Sequence, residues 1–236
     1  MSQEYLRDFQ TLIDQMKQHS SFEIIADEIV ANYEEGLAEL SVNELRMSFG
    51  FNLTQNFEKY IDVSLHTHLR FVYYINGDVS GGGEFHLSPI ADSLTSTQDP
   101  ELWHEGMTQQ EIEFLKYFRV FDDHPDSGDF KLAAFHLTPG VSPPAFPDIY
   151  FYDRGEYWKM NLDYGGYLDG LLGLLGVSNW QYLFCDVDMT QPKYESLFNE
   201  LNNTLNQLTK LFPARDFETY REILRTKRES DSRRIG

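Results

Sequence analysis

Residues 148–184 read DIYFYDRGEYWKMNLDYGGYLDGLLGLLGVSNWQYLF. Residues 149–152 and 156–162 are rich in aromatic and strand-forming side chains, and Asp153-Arg154-Gly155 sits between them. Glycine enters the left-handed region without a Cβ penalty, so this pattern predicts a tight hairpin. In its second arm, Trp158, Met160 and Leu162 share one face, read as the core face, and Tyr157, Lys159 and Asn161 share the other. Asp163 suits the N-cap of a following helix. Tyr164, Tyr167, Leu168, Leu171, Leu172 and Leu175 recur at helical spacing and predict a buried stripe. Gly165, Gly166, Gly170 and Gly173 each cost up to about 1 kcal/mol against Ala inside a helix. That cost implies close approach of another backbone, with the sheet as the natural neighbour. The stretch carries no nucleophile, ligand cluster or phosphate loop, which points toward binding and away from chemistry.

Upstream, residues 2–19 predict a helix striped by Tyr5, Leu6, Phe9, Leu12, Ile13 and Met16. The spacing of Phe22, Ile25, Ile29, Val30 and Tyr33 predicts a second helix from Ser21 to Gly36. Ser41 with Glu44 reads as a capping box for a short third. Residues 61–65 alternate with period two, and residues 70–75 are aromatic and β-branched before Asn76-Gly77, a strong hairpin signal. Residues 84–87 read as a short strand and residues 91–107 as loop. Thr108 with Glu111 opens another helix; residues 118–121 and 130–137 then flank the acidic turn DDHPDSGD. The Pro-rich run 138–147 reads as an extended surface loop. Downstream, residues 192–211 predict a long helix ended by Pro213, and Asp216 starts another. These patterns predict one α+β domain over 1–225, a single mixed or antiparallel sheet with helices packed around it and at both ends. Residues 226–236 read as a charged, frayed tail.

The chain has 236 residues, 41% of them hydrophobic and 15% aromatic, enough for a filled core without staples. One cysteine, Cys185, excludes a disulfide framework and the usual thiolate metal sites. The first residues lack a secretory h-region, and no apolar run approaches the ~20 residues of a membrane span, so a cytoplasmic location and no membrane partner are expected. The net charge is −19. Residues 214–236 carry seven basic and five acidic residues, a net of +2, so residues 1–213 carry −21. Such a body repels nucleic-acid phosphates and steers a basic protein partner toward itself, although acidity also serves solubility alone.

Candidate chemistry is sparse. Gly81-Gly82-Gly83 precedes a strand and lacks the helix and Lys of a phosphate loop, so a bulge or close backbone contact is the expectation. Asp122, Asp123, Asp126 and Asp129 supply oxygen ligands for a hard cation, but without EF-hand spacing, and a solvated turn is the simpler reading. His66 and His68 share a strand face, yet spacing alone indicates no third ligand. Glu84 and His86 share another strand face and offer an acid/base pair, or two exposed polar positions. Cys185 reads as a buried, inert thiol. No cofactor or metal site is expected, and no catalytic residue is assigned.

Several patterns resemble the SUKH superfamily, which includes the Syd protein, fungal cell-wall assembly regulators and bacterial immunity proteins. They are the aromatic strand before Asn76-Gly77, Gly81-Gly82-Gly83-Glu84-Phe85 leading to Pro89-Ile90, Ser127-Gly128-Asp129, Ile149-Tyr150-Phe151-Tyr152 through Leu162-Asp163, and Tyr167-Leu168. The resemblance covers residues 40–187. It implies an α+β fold and non-catalytic protein binding, in many bacterial members the neutralisation of toxins that are often nucleases. The expected function is therefore an immunity-type inhibitor of a basic, nuclease-like toxin. The alternatives are a scaffold or regulatory adaptor with several protein partners, and a hydrolase using Glu84 and His86 or the Asp122–Asp129 cluster. The expected partner surface joins Asp122, Asp123, Asp126 and Asp129 to Glu84, Tyr152 and Glu156.

Overall fold

A computed structural model describes residues 2–31, 65–96, 106–138 and 147–229. Over these, the chain is an α+β protein with one antiparallel sheet of seven strands in sequential order. The elements are α1 (Ser2–Gln18), β1 (Phe22–Ala31), β2 (Leu65–Ile75), β3 (Asp78–Leu87), α2 (Ile90–Thr95), α3 (Gln109–Leu115), β4 (Phe118–Asp123), β5 (Leu132–His136), β6 (Asp148–Asp153), β7 (Glu156–Met160), α4 (Tyr164–Gly173), α5 (Glu195–Leu211) and α6 (Glu218–Glu229).

Turn chemistry sets the hairpins. Asn76 and Gly77 both take positive φ between β2 and β3, as do Arg154 and Gly155 between β6 and β7. Caps set two helices. The Thr108 side chain and Glu111 form a reciprocal capping box on α3, and Asp163 accepts from the Gly166 amide at the start of α4.

Three expectations need correction. Residues 22–31 form a strand and not a helix. The run FEIIADEIVA is strand-prone, and a bulge between Ile24 and Ala26 breaks its period of two, so its apolar residues mimic helical spacing. Ile25 at that bulge is 49% exposed. Residues 90–95, expected as loop, form α2. Residues 226–229, expected to fray, continue α6, and Leu224 buries its apolar face. The Ser41/Glu44 capping box, Tyr33, Gly36, residues 61–64 and most of the Pro-rich run lie outside the described residues.

One face of the sheet carries Leu69, Phe71, Tyr73, Phe85, Phe121, Phe135, Phe151 and Met160 against α1, α4, α5 and α6. Trp158 packs against this core as its face predicts. The other face is apolar only over β4 to β7, where Leu115 of α3 meets Phe118, Val120, Ala134 and Tyr152. Tyr157, placed on the far face of its hairpin arm, joins this second cluster.

β3 and β4 share only two register pairs, His86↔Asp123 and Leu87↔Asp122. Above them, the chain after α4 takes the place of the missing ladder: Gly83 bridges Val177, and the Ser178 amide donates to the Gly82 carbonyl at 2.9 Å. A Cβ on Gly83 would stand 2.0 Å from the Gly176 carbonyl oxygen. The close backbone contact expected of the glycine run is found here. Within α4, Gly170 and Gly173 instead face the Trp180 and Tyr220 side chains, not the sheet. Gly83→Ala therefore forces backbone apart and should lower unfolding free energy by about 3 kcal/mol in urea titration. Gly173→Ala meets only a tyrosine hydroxyl that can swing aside and gains helix propensity, so its change should stay within about 1 kcal/mol. Equal losses in the two variants would refute this account of the junction.

Candidate functional site

On the face left uncovered by α3, β1 to β3 present Glu28, His66, His68, Arg70, Glu84 and His86. The register explains the grouping: His68 pairs with Glu28 on one side and His86 on the other, and Arg70 pairs with Glu84. Paired residues on adjacent strands point to the same face. The β4–β5 turn folds back onto this surface and adds Asp123 and Asp126.

Glu84 organises the turn. Only 4% exposed, it accepts the Asp126 amide at Oε1 (2.7 Å) and the Ser127 amide at Oε2 (2.8 Å). Arg70 donates to the Asp126 carbonyl at 3.2 Å, and its Nε lies 4.0 Å from Glu84 Oε2. His68 Nε2 stands 3.6 Å from Glu84 Oε1 and 3.5 Å from Asp126 Oδ2. Nearby, His86 Nδ1 and Asp123 Oδ1 are 2.7 Å apart. This hydrogen bond, opposed by partial burial, holds the His86 pKa above the usual histidine value.

The expected partner surface is partly dismantled. Asp122 is not exposed but enters the core, where its carboxylate accepts the His86 amide at 2.8 Å and the Tyr167 hydroxyl at 2.5 Å. Burial pushes its pKa up to about 6, against the opposing pull of His124, Tyr167 and the His86 amide. Tyr152 is 1% exposed in the cluster beneath α3 and offers no anchoring area. Glu84, on the polar face, is covered by the turn and spends both oxygens on its amides. Asp129 is engaged by His124 at 3.2 Å and Lys131 at 3.0 Å. Burial opposes its charge, but these two partners hold its pKa well below the usual carboxylate range. Glu156, at the β6–β7 turn, pairs with Lys193 at 2.9 Å. Asp123, Asp126 and Glu156 remain exposed, with side chains 40%, 41% and 54% exposed. Glu28, 58% exposed, joins them from β1.

The acid/base candidates Glu84 and His86 do reach the same surface as the acidic turn. They lie on a sheet face that no helix covers among the described residues, and each is already hydrogen-bonded. Cys185 is buried, and burial raises its thiol pKa, consistent with an inert role. His68 is the residue that spacing alone did not connect to Glu84. No helix among the described residues is long and apolar enough to cross a membrane. No protein-family model, curated protein or solved structure matches the chain.

Asp122 gives a pH signature. Its folded pKa lies above the unfolded carboxylate value, so the folded state binds the proton more tightly. This contribution is fully present below about pH 4 and is lost as pH rises toward about 6. Asp122→Asn retains an acceptor for the His86 amide and offers the Tyr167 oxygen a donor. It should be more stable than the parent near neutral pH, on the order of 2 kcal/mol, with the difference shrinking toward pH 4.5. Urea titrations across that range decide the matter; parallel stability profiles would show that Asp122 is charged in the folded protein throughout.

Proposed function

We propose that this chain is a non-catalytic protein-binding domain, an immunity-type inhibitor of a basic, nuclease-like toxin, acting through the carboxylate-bearing face of β1 to β3. The observation that carries this reading is the display of Glu28, Asp123 and Asp126 on a rigid sheet, around a turn pinned from beneath by Glu84. Positions fixed before encounter lose little entropy on binding. The −21 charge of residues 1–213 extends the attraction beyond the contact. A cleft evolved to hold nucleic-acid phosphates is basic, and carboxylates at comparable spacing can mimic that ligand. The resemblance to the SUKH superfamily supports the same role. The acid/base candidates serve internal hydrogen bonds, which favours binding over hydrolysis, and a cytoplasmic site of action fits a chain that meets a toxin after its entry.

The electrostatic reading predicts kinetics. Exposed ion pairs contribute little affinity individually but accelerate encounter. With a basic partner captured on the full chain, affinity should fall as NaCl is raised. Glu28→Gln with Asp123→Asn should slow association severalfold at low salt and leave dissociation nearly unchanged, as read by surface plasmon resonance. An affinity indifferent to salt would sink the proposal. One tight partner supports the inhibitor role, whereas several weak ones would support a scaffold or adaptor.

A further inference from the structure

His68, Glu84 and Asp126 make a constellation with a chemistry beyond protein binding, although Asp126 also belongs to the proposed binding face. Their ligand atoms all lie within 4.8 Å of one another. His68 Nε2 is buried and has no hydrogen-bond partner among the described residues. It is aimed between two carboxylates, 3.6 Å from Glu84 Oε1 and 3.5 Å from Asp126 Oδ2. Those separations are long for hydrogen bonds and fit an ion pair only when the imidazole is protonated. They match a different geometry. Zn–N and Zn–O bonds of about 2.0–2.2 Å place adjacent ligands of a tetrahedral ion roughly 3.3–3.6 Å apart.

We propose that these three side chains bind a zinc ion. The donor set selects the metal class. An imidazole nitrogen beside two carboxylate oxygens, with no sulfur, suits zinc and its transition-metal neighbours; calcium and magnesium prefer all-oxygen shells. Charge balances, because two carboxylates face one dication. Glu84 is held by the amides of Asp126 and Ser127, which fixes its orientation as outer hydrogen bonds fix metal ligands elsewhere. Arg70 approaches Oε2, which leaves Oε1 on the metal side. Asp126 is the adjustable ligand: its side chain is 41% exposed, and a small rotation brings its carboxylate to the ion. Two ligands come from the β2–β3 hairpin and one from the β4–β5 turn, so the ion would cross-link the two halves of the sheet.

The test uses the full chain, stripped with EDTA, desalted and titrated with zinc chloride by isothermal calorimetry. One ion per chain is expected, unaffected by excess magnesium or calcium, and cobalt in its place should give the visible bands of a tetrahedral centre. His68→Ala and Asp126→Asn should each weaken binding at least tenfold, and His66→Ala should leave it unchanged. Circular dichroism checks the fold of each variant; should His68→Ala unfold, the exposed Asp126→Asn decides alone. Absence of zinc binding by the parent would overturn the proposal, as would binding by Asp126→Asn as tight as the parent's. The protein-binding reading is tested separately through Glu28→Gln and Asp123→Asn, neither of which alters a proposed zinc ligand.

Discussion

The junction between β3 and β4 governs this structure. A seven-stranded antiparallel sheet ordinarily holds together by continuous ladders, yet here the middle joint has two register pairs. Side chains and a loop supply what the ladder lacks. Asp122 accepts the His86 amide and is clasped by Tyr167 of α4, while Glu84 accepts two amides of the turn. Ser178 donates to Gly82 from the far side. Each carboxylate is buried and costs desolvation, so neither is retained for stability alone. What they provide is definition: Asp122 ties β4 to β3 and α4, and Glu84, with Arg70, fixes the β4–β5 turn over β2 and β3.

That same need explains the glycines. Val177 and Ser178 reach the β3 edge because Gly83 lacks a side chain, and Gly176 takes φ +67 against the Phe85 ring. The backbone contact brings the end of α4 down onto the sheet. Tyr167, one helix face away, then meets Asp122 and stacks edge-on with Phe121 and Trp180. Core packing and polar anchoring are thus parts of one constraint, in which the aromatic floor positions the hydroxyl that satisfies the buried acid.

Much of the fold was legible because its signals are local. Asn76-Gly77, Arg154-Gly155, Thr108 with Glu111 and Asp163 each act over a few residues, and each does in the structure what its chemistry predicts. The strand at residues 22–31 was not legible, because its bulge imposes a phase slip that imitates a helix. The site failed to emerge for a related reason. Counted back from the Asn76-Gly77 turn without interruption, His68 would oppose Phe85. The register shift opposite Tyr73 and Tyr74 leaves Ser80 as an extra residue in β3, which brings His86 opposite His68 and Glu84 onto the same polar face. The glycine run beside that shift was the one available hint. Asp122 and Tyr152 failed differently: acidity and a loop position suggested exposure, and only the tertiary fold shows that one lines the core and the other lies under α3.

The two faces of β1 to β3 carry opposite demands, and the strands meet both through alternation. Leu69, Phe71 and Phe85 fill the core, while His68, Arg70 and Glu84 face outward from neighbouring positions. A single-residue slip would exchange the sets, burying charge and exposing aromatics, so the polar face inherits its precision from the core behind it. Ionisable groups brought so close would repel or pair off unless held at defined separations. The turn supplies that control by adding Asp126 above and taking up both oxygens of Glu84 from the side. The inner carboxylate is committed to holding the turn in place, while Asp123 and Asp126 keep partly exposed side chains.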